Sequence, residues 1–126
     1  MPRRLKIFFD GGYRGDPASM EIAVVAAGQA TILRDLGPGS SADAEWLALI
    51  QALTVARSTG ASDFVLIGDS ADVIAKANGL IRCRSDAARH LDRFRAMAGE
   101  GGPPRVRQVK RSQNLAGIAL ERLRAR

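Results

Sequence analysis

The chain has one cysteine, Cys83, and one histidine, His90, among its 126 residues. A lone cysteine cannot close an internal disulfide, which suits a reducing compartment. No Cys, His or acid sits at metal-ligand spacing around His90, so the nitrogen- and sulfur-rich patterns of zinc sites are excluded. His90 reads instead as a surface residue of a helix. There is no Gly-x-Ser-x-Gly and no Ser/His/Asp set, which argues against a serine hydrolase. No apolar run approaches membrane-spanning length, and Met-Pro-Arg-Arg leads into a strand and not into a signal-peptide core. A cytoplasmic location without a membrane partner is therefore expected. No internal repeat is visible.

Negative charge is also the scarcer sign. Nineteen Lys and Arg stand against 13 Asp and Glu, a net charge of +6, with the basic excess lying beyond residue 80. That imbalance points to a polyanionic partner. The apolar share of 46% and the charged share of 25% are those of a globular chain, and the length suits one domain over residues 1–126.

Leu5–Phe9 is an apolar run of strand length that stops at Asp10-Gly11-Gly12. Residues 4–10 are read as a first strand with Asp10 at its carboxyl end, where open α/β sheets bind ligands; a plain turn is the alternative. Glu21–Ala27 and Thr31–Leu36 form two further strands, with Gly28-Gln29 as a type II′ hairpin turn. Residues 43–58 are predicted helical, capped by Ser41 or Asp43, with Trp46, Leu49, Ile50, Leu53 and Ala56 on the core stripe. Glu45 points along that apolar face, unless it only complements the helix N-terminus. Phe64–Ile67 is a buried strand that delivers Asp69, and Ser70 caps a short helix closed by Asn78-Gly79. A helix over 86–98 capped by Ser85 carries Arg89, Arg93 and Arg95 on a solvated face. Gly99–Pro104 connects to a strand over 105–110 and a closing helix over 114–123. The order βββαβααβα gives a mixed α/β fold. The first and fourth strands become parallel neighbours joined through the helix between them, so Asp10, Glu45 and Asp69 converge.

Three clustered carboxylates repel one another, and without a cation at least one must shift its pKa upward. An oxygen-preferring divalent ion, Mg²⁺ or alternatively Mn²⁺, relieves that repulsion, and such ions serve phosphoryl-transfer sites. Gly11-Gly12-Tyr13-Arg14-Gly15 is neither a dinucleotide fingerprint nor a P-loop: Asp10 takes the first glycine's place, Pro17 follows instead of a helix, and no Gly-Lys-Ser/Thr occurs.

Four stretches then resemble the ribonuclease H family, in its short type 1 form. They are Asp10-Gly11-Gly12-Tyr13-Arg14-Gly15-Asp16-Pro17, Ala44-Glu45-Trp46-Leu47-Ala48-Leu49-Ile50-Gln51-Ala52-Leu53, Gly68-Asp69-Ser70-Ala71-Asp72-Val73-Ile74, and Val109-Lys110-Arg111-Ser112-Gln113-Asn114. The resemblance implies a ribonuclease H-like fold: a mixed five-stranded sheet, a three-strand antiparallel meander plus parallel strands, flanked by helices. It implies a metal-dependent endonuclease that cuts the RNA strand of RNA/DNA hybrids by two-metal hydrolysis, leaving 5′-phosphate and 3′-hydroxyl ends. Asp10, Glu45 and Asp69 would hold the metal and carry catalysis. Gly11, Gly12, Tyr13, Arg14, Gly15, Ser41, Ser70, Arg111 and Asn114 would bind the nucleic acid. Two departures stand out. The family's fourth metal-binding Asp, four residues after the Asn, corresponds to Ile118, with Gly117 beside it and Glu121 expected at a different radial position. The amides that read RNA 2′-hydroxyls in the family are also altered, to Asp16 and to Ser40-Ser41-Ala42. A second reading is therefore a weak or inactive nucleic-acid-binding module of the same fold, and Ile118 is the residue that favours it.

Overall fold

A computed structural model describes residues 4–124. Its sheet has five strands in the order β3-β2-β1-β4-β5. They are β1 (Leu5–Gly15), β2 (Ala18–Ala26), β3 (Gln29–Leu33), β4 (Phe64–Gly68) and β5 (Val106–Gln108). The helices are α1 (Ser41–Ser58), α2 (Ala71–Ala77), α3 (Ser85–Ala98) and α4 (Leu115–Arg124), the last preceded by a 3₁₀ turn over Arg111–Gln113. β1, β2 and β3 form the antiparallel meander, while β4 and β5 add in parallel. This is the ribonuclease H-like architecture expected from the sequence.

Period-two alternation divides the sheet into two faces. Ile7 and Phe9 of β1, with Ile22 and Val24 of β2, are buried against Trp46, Leu49 and Leu53 of α1 and Phe94 of α3. On the opposite face Ala23 and Val25 pack with Ala116 and Leu120 of α4, and Phe8 joins them at the margin.

Several local expectations are corrected. β1 does not stop at Asp10: it runs on to Gly15, paired with β2 down to Gly15↔Ala18. The glycines that suggested a turn are absorbed by an extended hairpin arm. The β2–β3 turn lies at Ala27-Gly28, not Gly28-Gln29. Both residues have positive φ, 51° and 77°, the type I′ pattern that matches strand twist better than the expected II′. Helix α1 is capped by Ser40, not by Ser41 or Asp43. The Ser40 hydroxyl accepts the Asp43 N–H at 3.0 Å, and Asp43 Oδ2 accepts the Ser40 N–H at 3.0 Å, a reciprocal capping box. Ser85 does not cap α3; Arg84 holds the cap position without a side-chain bond. Ser70 caps α2 as expected, accepting the Val73 N–H.

Candidate active site

The register of the parallel pair places the site. β1 and β4 pair from Leu5↔Phe64 to Phe8↔Ile67. Asp10 and Asp69 each lie two residues beyond the last pair, so they emerge side by side where the two strands separate. Asp10 shares its parity with Phe8 and faces α4. Gly11 shares its parity with Ile7 and Phe9 and faces α1.

Glu45 reaches this point because Gly11 has no side chain. A Cβ there would overlap the Ala44 carbonyl and lie 2.7 Å from the Glu45 nitrogen, so only glycine lets the first turn of α1 rest on β1. The Gly11 N–H then donates to Glu45 Oε1 at 2.9 Å. One carboxylate oxygen from each of Asp10, Glu45 and Asp69 falls within 4.8 Å of the others. The other oxygen of Glu45, Oε2, is buried and receives no hydrogen bond. A buried carboxylate oxygen without a donor is costly, and it must be met by a proton or a cation.

The electrostatics agree. Burial, then hydrogen bonding to Asp10 and the negative charge of Asp10, push the Glu45 carboxyl up to about 9. Burial raises Asp10 too; Asp69 adds to the rise, while Glu45, Arg124 and Arg111 oppose it. Near neutral pH the bare cluster thus retains a proton, which belongs to Glu45 and Asp10 as a pair. The donor set is all oxygen, partly buried and crowded with like charge, and it fits a divalent cation such as Mg²⁺ better than zinc.

The carboxylates line an open cleft of about 500 Å³. Of the residues expected to bind nucleic acid, Gly11, Gly12, Tyr13, Arg14, Ser41, Ser70 and Arg111 line it. Gly15 does not; it borders an adjoining cavity of about 800 Å³, because the extended β1 carries it past the cleft. Asn114 does not line the cleft either. It is completely buried, its Nδ2 donates to Phe9 O at 2.9 Å and to Asp69 Oδ2 at 3.0 Å, and its Oδ1 accepts the Ala116 N–H. It caps α4 and orients Asp69 from behind. A larger cavity, about 670 Å³ between β4, α2 and β5, is lined by no carboxylate and shares no residue with the cleft.

Sequence reasoning missed three features here. Gly117 of α4 faces Asp10: a Cβ on Gly117 would lie 3.3 Å from Asp10 Oδ2, and Gly117 lines the cleft whereas Ile118 is not among its lining residues. Glu121, expected at another radial position, lines the cleft, since it lies one turn beyond Gly117 on the same face. Arg124 also lines the cleft, bonded through Nε to Glu21 Oε1 at 2.6 Å. The pairing of Glu21 with Arg124 spans the chain, and no local pattern announces it.

Comparisons with known proteins place the fold. The model of the reverse transcriptase-like family matches residues 22–120. Among solved structures, RNase H1 from the halophilic archaeon Halobacterium salinarum NRC-1 is similar at 28% identity and a TM-score of 0.73, over 95% of this chain and 99% of that one. The N-terminal RNase H domain of a Mycobacterium tuberculosis protein is similar at 25% identity and a TM-score of 0.72, over 94% and 95%. LC11-RNase H1, isolated from compost by a metagenomic approach, shares the fold at 22% identity and a TM-score of 0.77, over 97% and 99%; a structure of that enzyme in complex with an RNA/DNA hybrid also matches. No curated protein sequence matches this chain. With the family model spanning most of the chain and the fold shared along nearly all of it, the chain belongs to the reverse transcriptase-like family, within the ribonuclease H group.

Proposed function

We propose that the chain is a metal-dependent endonuclease that cuts the RNA strand of RNA/DNA hybrids. The single observation that carries this reading is the cluster of three carboxylates in which no protein donor reaches the buried Oε2 of Glu45, an arrangement that a cation completes. Asp10, Glu45 and Asp69 would hold Mg²⁺ or Mn²⁺. When bound, such an ion supplies Lewis-acid stabilisation of a phosphoryl centre and lowers the pKa of water. The chain's own contribution is positional. Gly11 fixes Glu45 through its N–H, Asn114 fixes Asp69, and β1 and β4 fix the spacing of the two aspartates. Arg14 and Arg111 line the same cleft and offer cationic donors to the phosphates of a strand lying across it. A hybrid is supported as substrate by the RNase H1 structures that share the fold.

The test is a cleavage assay on matched RNA/DNA hybrid, double-stranded RNA and double-stranded DNA, in Mg²⁺ and in Mn²⁺. Hybrid nicking that is lost in Asp10→Asn and in Asp69→Asn, with the fold retained by circular dichroism, is the expected result. Hybrid binding without cleavage in either metal would leave the binding-module reading, which the absence of a carboxylate at Gly117 and Ile118 favours.

A further inference from the structure

Helix α4 presents Gly117, Glu121 and Arg124 to the cleft, the i, i+4, i+7 spacing of one helical face. Glu121 is exposed. Arg124 is not: its side chain is 23% accessible, and its partner Glu21 is 7% accessible in mid-strand on β2. The Arg124 guanidinium lies against Gly12, where a Cβ would overlap Nη2. β1 is therefore bare of side chain at the place where this cation enters, two residues along the strand from Asp10 and on the same face of the sheet. Glu21 also receives Arg34, with Nε 3.5 Å from Oε2, so one buried carboxylate organises two arginines and leaves the group net positive. Arg124 and Arg14 border both the carboxylate cleft and the adjoining cavity of about 800 Å³, and Arg34 borders the second.

The geometry points to Arg124 as a phosphate ligand of the cleft, set in place by Glu21 as a positioning residue. A nucleic-acid strand would be anchored there as it passes from the carboxylates towards Arg14 and Arg34. A guanidinium spends one N–H on Glu21 and retains a fork of further donors suited to a phosphate. Arg124 keeps 23% of its side chain accessible and borders the cleft, so donors beyond its bond to Glu21 are within reach of a strand lying there. The inference rests on the nucleic-acid reading of the cleft but not on cleavage.

The test measures binding of a fluorescent RNA/DNA hybrid in EDTA across a range of KCl, with melting temperatures alongside. Arg124→Gln should weaken binding about tenfold at moderate salt. It should also reduce the slope of log Kd against log salt by about 0.9, the loss of one phosphate contact. Because Arg124→Gln strands a buried carboxylate, the double variant Glu21→Gln/Arg124→Gln serves as the fold control, and it should show the same reduced slope. Glu21→Gln alone should weaken binding less. An unchanged slope in Arg124→Gln, or a wild-type slope in the double variant, would overturn the proposal, as would a wild-type protein that binds no hybrid. Wild-type protein that binds with the Arg124-dependent slope yet never cuts would uphold this inference and end the nuclease reading. Cutting with a slope indifferent to Arg124 would do the reverse.

Discussion

Glu45 is a carboxyl whose ionisation opposes the fold unless something positive joins it. Its pKa is raised from 4.5 to about 9, so between those values the folded chain binds more protons than the unfolded one. Stability of the metal-free protein should therefore fall as pH rises through that window, by at most about 1.4 kcal/mol per pH unit. Metal affinity should rise over the same window, because binding displaces the proton. Melting temperatures from pH 5 to 9, with EDTA and with Mg²⁺, test both signs; Glu45→Gln should flatten the EDTA profile and remove the metal response. Gly11 gives a second prediction at this scale. Gly11→Ala forces a methyl into the Ala44 carbonyl and should cost about 1–3 kcal/mol in urea unfolding. It should weaken metal binding further than stability alone requires, because α1 must retreat and take Glu45 with it.

At the scale of elements, the attitude of α1 is also set from its far side. His90 of α3 bonds Asp43 Oδ1 through Nε2 at 2.9 Å and stacks on Trp46, with centroids 6.0 Å apart and planes 13° from parallel. The expectation of a plain surface histidine is thus corrected, for its side chain is only 19% accessible. Asp43 also closes the capping box with Ser40, and the His90 hydrogen bond, more than the Ser40 contacts, holds its carboxyl below the usual range. The first turn of α1 carries that box, and Glu45 follows it directly. His90→Ala should cost about 1–2 kcal/mol of stability by chemical denaturation. It should lower metal affinity only modestly, since Gly11 still anchors Glu45. Part of this element was legible in the sequence: its extent, its core stripe and the odd carboxylate on that stripe. The choice of Ser40 over Ser41 as cap was not, because both are good caps and the decision rests on which one Asp43 can answer.

At the scale of the whole molecule, the net charge of +6 and the arginines around the cleft imply that hybrid binding releases counterions. The log of the association constant should fall linearly with log salt, with a negative slope of several units. Affinity measured by anisotropy and flat between low and moderate salt would contradict phosphate contact. The sequence by itself determined the strand and helix order and the identity of the three clustered carboxylates. Apolar periodicity, breakers and local caps are short-range properties: Asp10 follows the apolar run of β1, Glu45 lies near the start of α1, and Asp69 follows the last residue of β4. Only the tertiary structure decided which residues surround them. The run-on of β1 past Asp10 depends on pairing with β2. The burial of Asn114 behind Asp69 depends on where α4 docks. The facing of Gly117 to Asp10, and the reach of Arg124 across bare Gly12 to Glu21, depend on the rotation of α4 about its own axis. That rotation is set by Ala116 and Leu120 packing against Ala23 and Val25, contacts nearly a hundred residues apart in the chain, on which no local pattern bears.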